Sequence, residues 1–214
     1  MLKLYGFSKV NAGARGHTRD LRVLWALEEM QLPFEIVGMD HPAHDLNRED
    51  YRPLSPFEQV PSIDDDGVLL SESGAIVVYL AKKSGRLMPA DRVGEAQVMR
   101  WCFVALNSAE PPLLALIVHD WTADGGCAKP REFLVGWVNR MLGNLQRWLA
   151  DREFIATDEF SVADILMAHV LFSGIKDQSL LAPYAGVAAY RDRCMARPAW
   201  KRTIEAYCTR VEAA

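Results

Sequence analysis

Residues 59–76, Q-V-P-S-I-D-D-D-G-V-L-L-S-E-S-G-A-I, decide the fold. Val60-Pro61 precedes a short apolar run, Asp65-Asp66-Gly67 supplies a tight hairpin turn, and Val68-Leu69-Leu70 returns as a second strand. Ser71-Glu72-Ser73 then opens an apolar helix over 75–83, with Ile76, Tyr79 and Leu80 along one face. An X-Pro bond at a strand start is one of the few peptide bonds that adopt cis. In that form the Val60 N–H and C=O would turn outward, where an extended peptide pairs as an added strand does. Ser73 sets a hydroxyl beside the free N–H groups of a helix start, a good place for a carboxylate, and Glu72 next to it suits an ammonium. Taken singly, Ser73 is a helix cap and Val60-Pro61 a strand entry. In this order they describe a pocket for a small peptide that carries an amino-acid zwitterion.

Working outward, residues 2–6 alternate as a first strand, and 7–15 with Gly16 read as a long irregular loop. A helix is expected over 19–31, with Leu21, Leu24 and Trp25 on one face and Val23, Leu27 and Met30 widening the stripe. Leu32-Pro33 stops it, and 34–37 alternate as the second strand. Strand, helix, strand predicts a right-handed crossover. With the hairpin and helix of 59–83 this makes an α/β domain over 1–83. Residues 84–91 read as a linker, and 92–214 as an all-helical domain. There the spacing predicts helices over 92–107, interrupted at Glu110-Pro111-Pro112 or continued with a kink to Val118, then over 133–149, 165–172, 187–195 and 200–211, with a loop around Gly125-Gly126. Phe160-Ser161-Val162-Ala163-Asp164 reads as a capping box: Ser161 caps the helix and Asp164 reaches back to its amide. The helix behind it is apolar nearly all round and belongs at the centre of the bundle.

At 214 residues the chain is long enough for two small domains, and a net charge of −4 offers no basic field for nucleic acid. No leader signature precedes the first strand, and no apolar run reads as long enough to span a bilayer, which points to the cytoplasm. Cys102, Cys127, Cys194 and Cys208 form no C-x-x-C pair, and the five histidines are scattered, so no metal site is expected. All four cysteines lie beyond residue 100, which leaves the N-terminal half without one.

The order V-P, strand, D-G turn, strand, E-S, apolar helix resembles the glutathione-binding half of the cytosolic glutathione transferases, whose N-terminal domain is thioredoxin-like. The S-x-A-D box at 161–164 resembles the same family, where it is a folding element, so the similarity spans the whole chain. The resemblance implies a homodimer, formed through the hairpin helix and the first long helix of the bundle. It also implies glutathione as co-substrate and a small hydrophobic electrophile, as in detoxification. Val60 would pair with the cysteinyl backbone of glutathione beside Pro61, Glu72 and Ser73 would hold the γ-glutamyl end, and Gln59 would reach the glycyl carboxylate. Glu58 departs from the usual small or basic residue there and would repel that carboxylate unless it turns to solvent.

A thiol near pKa ~8.5 is mostly protonated at neutral pH, so an enzyme using it must stabilise the thiolate. With no cysteine in the N-terminal half, the cysteine-dependent classes are set aside and a hydroxyl or amide donor is expected, as in a bacterial-type member. Aligned backward from Arg22-Val23, the family's catalytic position falls at His17, with Thr18 beside it; aligned forward from Tyr5-Gly6, it falls near Ser8. Thr18 is preferred over Ser8, His17 is also a candidate donor, and Asn11 is a possible second donor. The electrophile would sit against Trp101, Val104, Asn107 and Ser108, between the domains, although Trp101 and Val104 equally suit a core. Two rivals share the fold: a glutathione-dependent disulfide reductase or peroxidase, and a non-catalytic interaction module.

Overall fold

The computed structural model describes residues 1–122 and 128–214; the expected loop around Gly125-Gly126, with Cys127, lies outside the described residues. The chain divides into two compact units, Met1–Arg86 with Arg197–Ala214, and Leu87–Ala196. The architecture is a mixed-sheet thioredoxin-like unit and a helical unit.

In the first unit, β1 (Leu2–Val10) pairs in parallel with β2 (Glu35–Asp40) after the crossover helix α1 (Asp20–Met30). β1 also pairs antiparallel with β3 (Ser62–Asp65), and β3 with β4 (Val68–Ser71), giving the order β2-β1-β3-β4. The hairpin turn falls where D-D-G requires it: Asp66 and Gly67 take φ of 51° and 94°, the two positive values of a tight turn that matches strand twist. α2 (Ser73–Ser84) follows and, with α1, covers the sheet through Leu21, Trp25, Leu27, Ile76 and Leu80, all fully buried. Such side chains contribute roughly 1.5–3 kcal/mol each on burial.

Two expectations are corrected here. β1 runs on to Val10, so Ser8 belongs to a strand and not to a loop. The extension is held by continued pairing with β2 past an irregularity between Phe7 and Lys9, and by β5 (Glu212–Ala213) alongside Lys9 and Val10. The last helix, α8 (Pro198–Arg210), expected in the helical domain, packs on α1 instead. Trp200 meets Trp25 with ring centroids 4.9 Å apart, Arg197 grips Glu29 with two hydrogen bonds of 2.6 and 2.9 Å, and Arg202 pairs with Glu28. An aromatic pair and a bidentate ion pair outweigh proximity in sequence.

In the helical unit, α3 (Arg92–Phe103), a π-helical segment (Val104–Ala109) and α4 (Glu110–Thr122) form one continuous helix. Of the two readings, an interruption at Glu110-Pro111-Pro112 or a continuation to Val118, the helix takes the second and runs on to Thr122. The π segment shifts the hydrogen-bond pattern just before the prolines and places them at the start of α4, where a missing N–H is tolerated. The 31 residues Arg92–Thr122 are long and apolar enough, by length and composition, to cross a membrane, which corrects the reading that no run is. A stripe of this helix, including Val98, Ala105, Leu113 and Leu116, is buried in the unit. α5 (Ala128–Trp148) follows, starting earlier than the periodicity suggests, and buries Val138, Leu142 and Leu145. α6 (Val162–Gly174) is the unit's centre, buried from Val162 to Leu171, and α7 (Ala185–Met195) packs against it.

The capping box at α6 forms as read. Asp164 Oδ2 accepts from the Ser161 N–H and hydroxyl, both at 2.9 Å, and Oδ1 accepts from the Ile155 N–H at 2.8 Å and the Tyr190 hydroxyl at 2.9 Å. Both carboxylate oxygens are thus doubly used. Burial still pushes the Asp164 carboxyl above its ordinary pKa, against the pull of those four donors.

Candidate active site

The start of α2 is built differently from that of α6. Glu72 stands at its N-cap with φ 69° and ψ 113°, and its side chain makes no capping hydrogen bond. A non-glycine residue held there costs of order 1–3 kcal/mol, and such residues cluster at ligand clamps. Glu72 is exposed, while Ser73, the first helical residue, is buried. Beneath it, Arg22 of α1, 1% exposed, donates from Nη1 to Ser73 Oγ at 3.2 Å. The first N–H groups of α2 therefore keep no side-chain cap, and a serine hydroxyl backed by a guanidinium stands beside them.

Val60-Pro61 is a cis peptide. The Val60 side chain packs inward with Met39, Leu46 and Tyr51, and Tyr5, Phe7 and Leu54 pack against that cluster. The segment before it is pinned: the Gln59 N–H donates to Ser55 Oγ at 3.0 Å, and the Tyr51 hydroxyl donates to the Gln59 carbonyl at 2.8 Å. The Gln59 side chain is left exposed. Glu58 is engaged with Asn47 Nδ2 at 2.7 Å and Arg52 Nε at 3.0 Å, and these donors hold its carboxyl below the ordinary carboxylate range. Glu58 thus stays ionised, with Asn47 and Arg52 as donors to its carboxylate.

The three candidate thiol activators fall in different settings. Ser8, in β1, sits against β2 so closely that a Cβ on Gly38 would stand 2.8 Å from the Ser8 Cβ. His17 and Thr18 occupy the approach to α1, both half-buried. The Thr18 hydroxyl lies 2.6 Å from the Tyr207 hydroxyl of α8 and also hydrogen-bonds Asp20. Asp20 is fully buried; its Oδ2 accepts from the Phe7 N–H at 3.0 Å, and its Oδ1 has no hydrogen-bond partner. Burial pushes the Asp20 carboxyl up against the Thr18 and Phe7 donors and the nearby charge of Arg210, and pushes the Tyr207 hydroxyl up to about 12, so Tyr207 stays protonated near neutral pH. Arg210 donates to the Phe7 carbonyl, and Arg15 to the Val211 and Cys208 carbonyls. Asn11, the second loop donor considered, is exposed.

Sequence reasoning missed Arg22, Asp20, Tyr207 and Arg210. An arginine and an aspartate on an amphipathic helix read as a solvated face, and α8 carries no local sign that it docks on α1. Its docking also brings Cys208 into the first unit, so position in the sequence alone does not clear that unit of thiols. Of the second-substrate candidates, Trp101, Val104 and Ser108 line a cavity of about 390 Å³ inside the helical unit, with Trp137, Met141 and Trp148. Asn107 is exposed and is not among its lining residues. Burial pushes the Cys102 thiol in this unit to about 12, which keeps it protonated. Among the described residues no group of three or more His, Cys, Asp or Glu could hold a metal ion.

Residues 21–83 match the family described as the glutathione S-transferase N-terminal domain, and residues 131–198 its C-terminal domain. A glutathione S-transferase of Hyoscyamus muticus is 30% identical over 203 residues, covering 86% of this chain and 92% of that protein. Among solved structures, a Burkholderia graminis glutathione transferase with two glutathione molecules bound per subunit is 28% identical with a TM-score of 0.84, over 96% of this chain and 88% of that one. A Pseudomonas putida glutathione transferase with one glutathione disulfide bound per subunit is 25% identical with a TM-score of 0.82, over 95% and 90%. The chain belongs to the glutathione S-transferase family.

Proposed function

We propose that the protein transfers the glutathione thiolate to a small hydrophobic electrophile. The observation that carries this reading is the α2 start: an uncapped helix terminus, a buried serine hydroxyl beside it and an exposed carboxylate at a strained N-cap. A γ-glutamyl group brings a carboxylate and an ammonium on one carbon, and Ser73 with the helix N–H groups takes the first while Glu72 takes the second. Val60, preceding Pro61, pairs with the cysteinyl backbone, and the exposed Gln59 reaches toward the glycyl end. The two structural relatives that hold glutathione or its disulfide support the same ligand here.

Thr18 is the donor we assign to the sulfur, ahead of Ser8 and His17, in a member that needs no catalytic cysteine. Tyr207, itself a hydrogen-bond donor, can fill a lone pair of Thr18 Oγ1. The single Thr18 proton then has two acceptors to choose from, Asp20 or an anionic sulfur, and donation to sulfur lowers the thiol pKa. Once the thiolate forms, positioning supplies the rest of the acceleration. The aromatic wall and size of the cavity at Trp101, Val104 and Ser108 support an apolar second substrate, with Asn107 on the neighbouring exposed surface. The protein acts as a homodimer in this reading, and the exposed side chains of Leu114, Val118 and Trp121 on α4 give a second copy apolar surface to cover.

The test is calorimetric titration of the purified protein with reduced glutathione, then with glutathione disulfide, followed by an electrophile screen. Saturable binding of the reduced form and turnover of at least one electrophile are expected. Binding of the disulfide alone, or of neither, would overturn the transferase reading.

A further inference from the structure

The buried guanidinium under α2 has a consequence that depends on which group can give a proton. Arginine only donates, so at the 3.2 Å contact the Ser73 oxygen is the acceptor and Arg22 Nη1 the donor. The proton of Ser73 is then left for a different acceptor. Ser73 stands at the first position of α2, where no preceding turn of helix offers a carbonyl four residues back. A ligand carboxylate at the helix start is the acceptor this arrangement is built to meet.

Charge adds to direction. Arg22 is 1% exposed and its guanidinium touches Ser73, so it acts on the α2 start with little solvent screening. The unused N–H groups of α2 add the positive end of the helix dipole at the same place. The exposed Glu72, at the N-cap of α2, supplies a negative group that suits an ammonium.

We infer that Arg22 is a positioning residue which, through the Ser73 hydroxyl, makes the α2 start selective for the α-carboxylate of a γ-glutamyl ligand. The inference rests on the glutathione reading of this site and deepens it by naming the group on which selectivity turns.

The experiment compares the affinity of glutathione with that of its analogue lacking the α-carboxylate, the 4-aminobutyryl-cysteinyl-glycine tripeptide, by calorimetry. Wild-type protein should prefer glutathione by about tenfold or more, the worth of a charge-assisted hydrogen bond. A wild-type protein that binds neither peptide defeats the glutathione reading, and the inference with it. Arg22→Met should bind glutathione about tenfold more weakly and the analogue within about twofold of wild type, so that the preference collapses. A purely structural arginine would weaken both ligands together, and a preference kept intact in folded Arg22→Met overturns the inference while leaving the glutathione reading standing. Arg22→Lys keeps the charge and loses the planar fork. It should retain part of the preference, and it gives the reading if Arg22→Met does not fold. In a Ser73→Ala background Arg22→Lys should change the preference no further, and an undiminished effect there would also overturn it.

Discussion

Two helix starts in this chain carry similar residues and do opposite things. At α6, Ser161 and Asp164 close the helix: four donors converge on one buried carboxylate, and both of its oxygens are satisfied. At α2, Glu72 and Ser73 leave the helix open: Glu72 makes no cap, its backbone holds a strained φ of 69°, and the Ser73 oxygen is occupied by an arginine from below. A satisfied terminus stabilises the fold and has nothing left to offer a ligand. An unsatisfied one costs stability and binds. Asp20, at the start of α1, stands between the two, with one oxygen used and the other without a partner.

The largest effect belongs to the closed start. Asp164→Ala strands the Ser161 and Ile155 N–H groups and the Tyr190 hydroxyl, and should lower stability by roughly 3 kcal/mol or more in urea unfolding. The protein that remains folded should bind glutathione as wild type does. Next comes the open start: Ser73→Ala takes one acceptor from the buried Arg22 and should cost roughly 1–2 kcal/mol of stability, less than Asp164→Ala, while weakening glutathione binding by roughly 1–3 kcal/mol. Equal losses of stability from both substitutions would break the comparison.

Smaller effects sharpen the middle case. Thr18→Ala should leave the glutathione dissociation constant within about threefold while raising the pKa of the bound thiol by about one unit, read from thiolate absorbance against pH. Tyr207→Phe, which keeps the ring and loses the donor, should raise it in the same direction by less; an unmoved titration in Thr18→Ala would remove Thr18 from the chemistry. For Asp20, the sign of the pH dependence follows from burial. Its folded pKa is raised above the ordinary 3.8, so the folded chain binds that proton more tightly than the unfolded chain. The resulting stabilisation is complete below the unfolded pKa and is lost as pH rises through the folded one. Asp20→Asn should therefore gain thermal stability on wild type as pH rises through that window, and the difference between the two melting curves isolates Asp20 from the unchanged Asp164.

What the sequence determined by itself is what short spacing can encode. The D-D-G turn forced positive φ at Asp66 and Gly67, the hairpin and the helix behind it followed, and S-V-A-D closed on itself within four residues. These features depend on backbone geometry and on partners a turn away, so one stretch of chain is enough to read them. The placing of Glu72 and Ser73 at the start of α2 was legible for the same reason. The tertiary structure decided the rest. Arg22 reaches Ser73 across 51 positions, and Thr18 meets Tyr207 across 189. α8 leaves the helical set for α1 because Trp200 and Arg197 find Trp25 and Glu29 there. No periodicity within a helix states which distant surface its polar residues will face. Which charge becomes buried, and which hydroxyl keeps a proton to give, is settled only when the packed surfaces exclude water and leave each donor a single choice of acceptor.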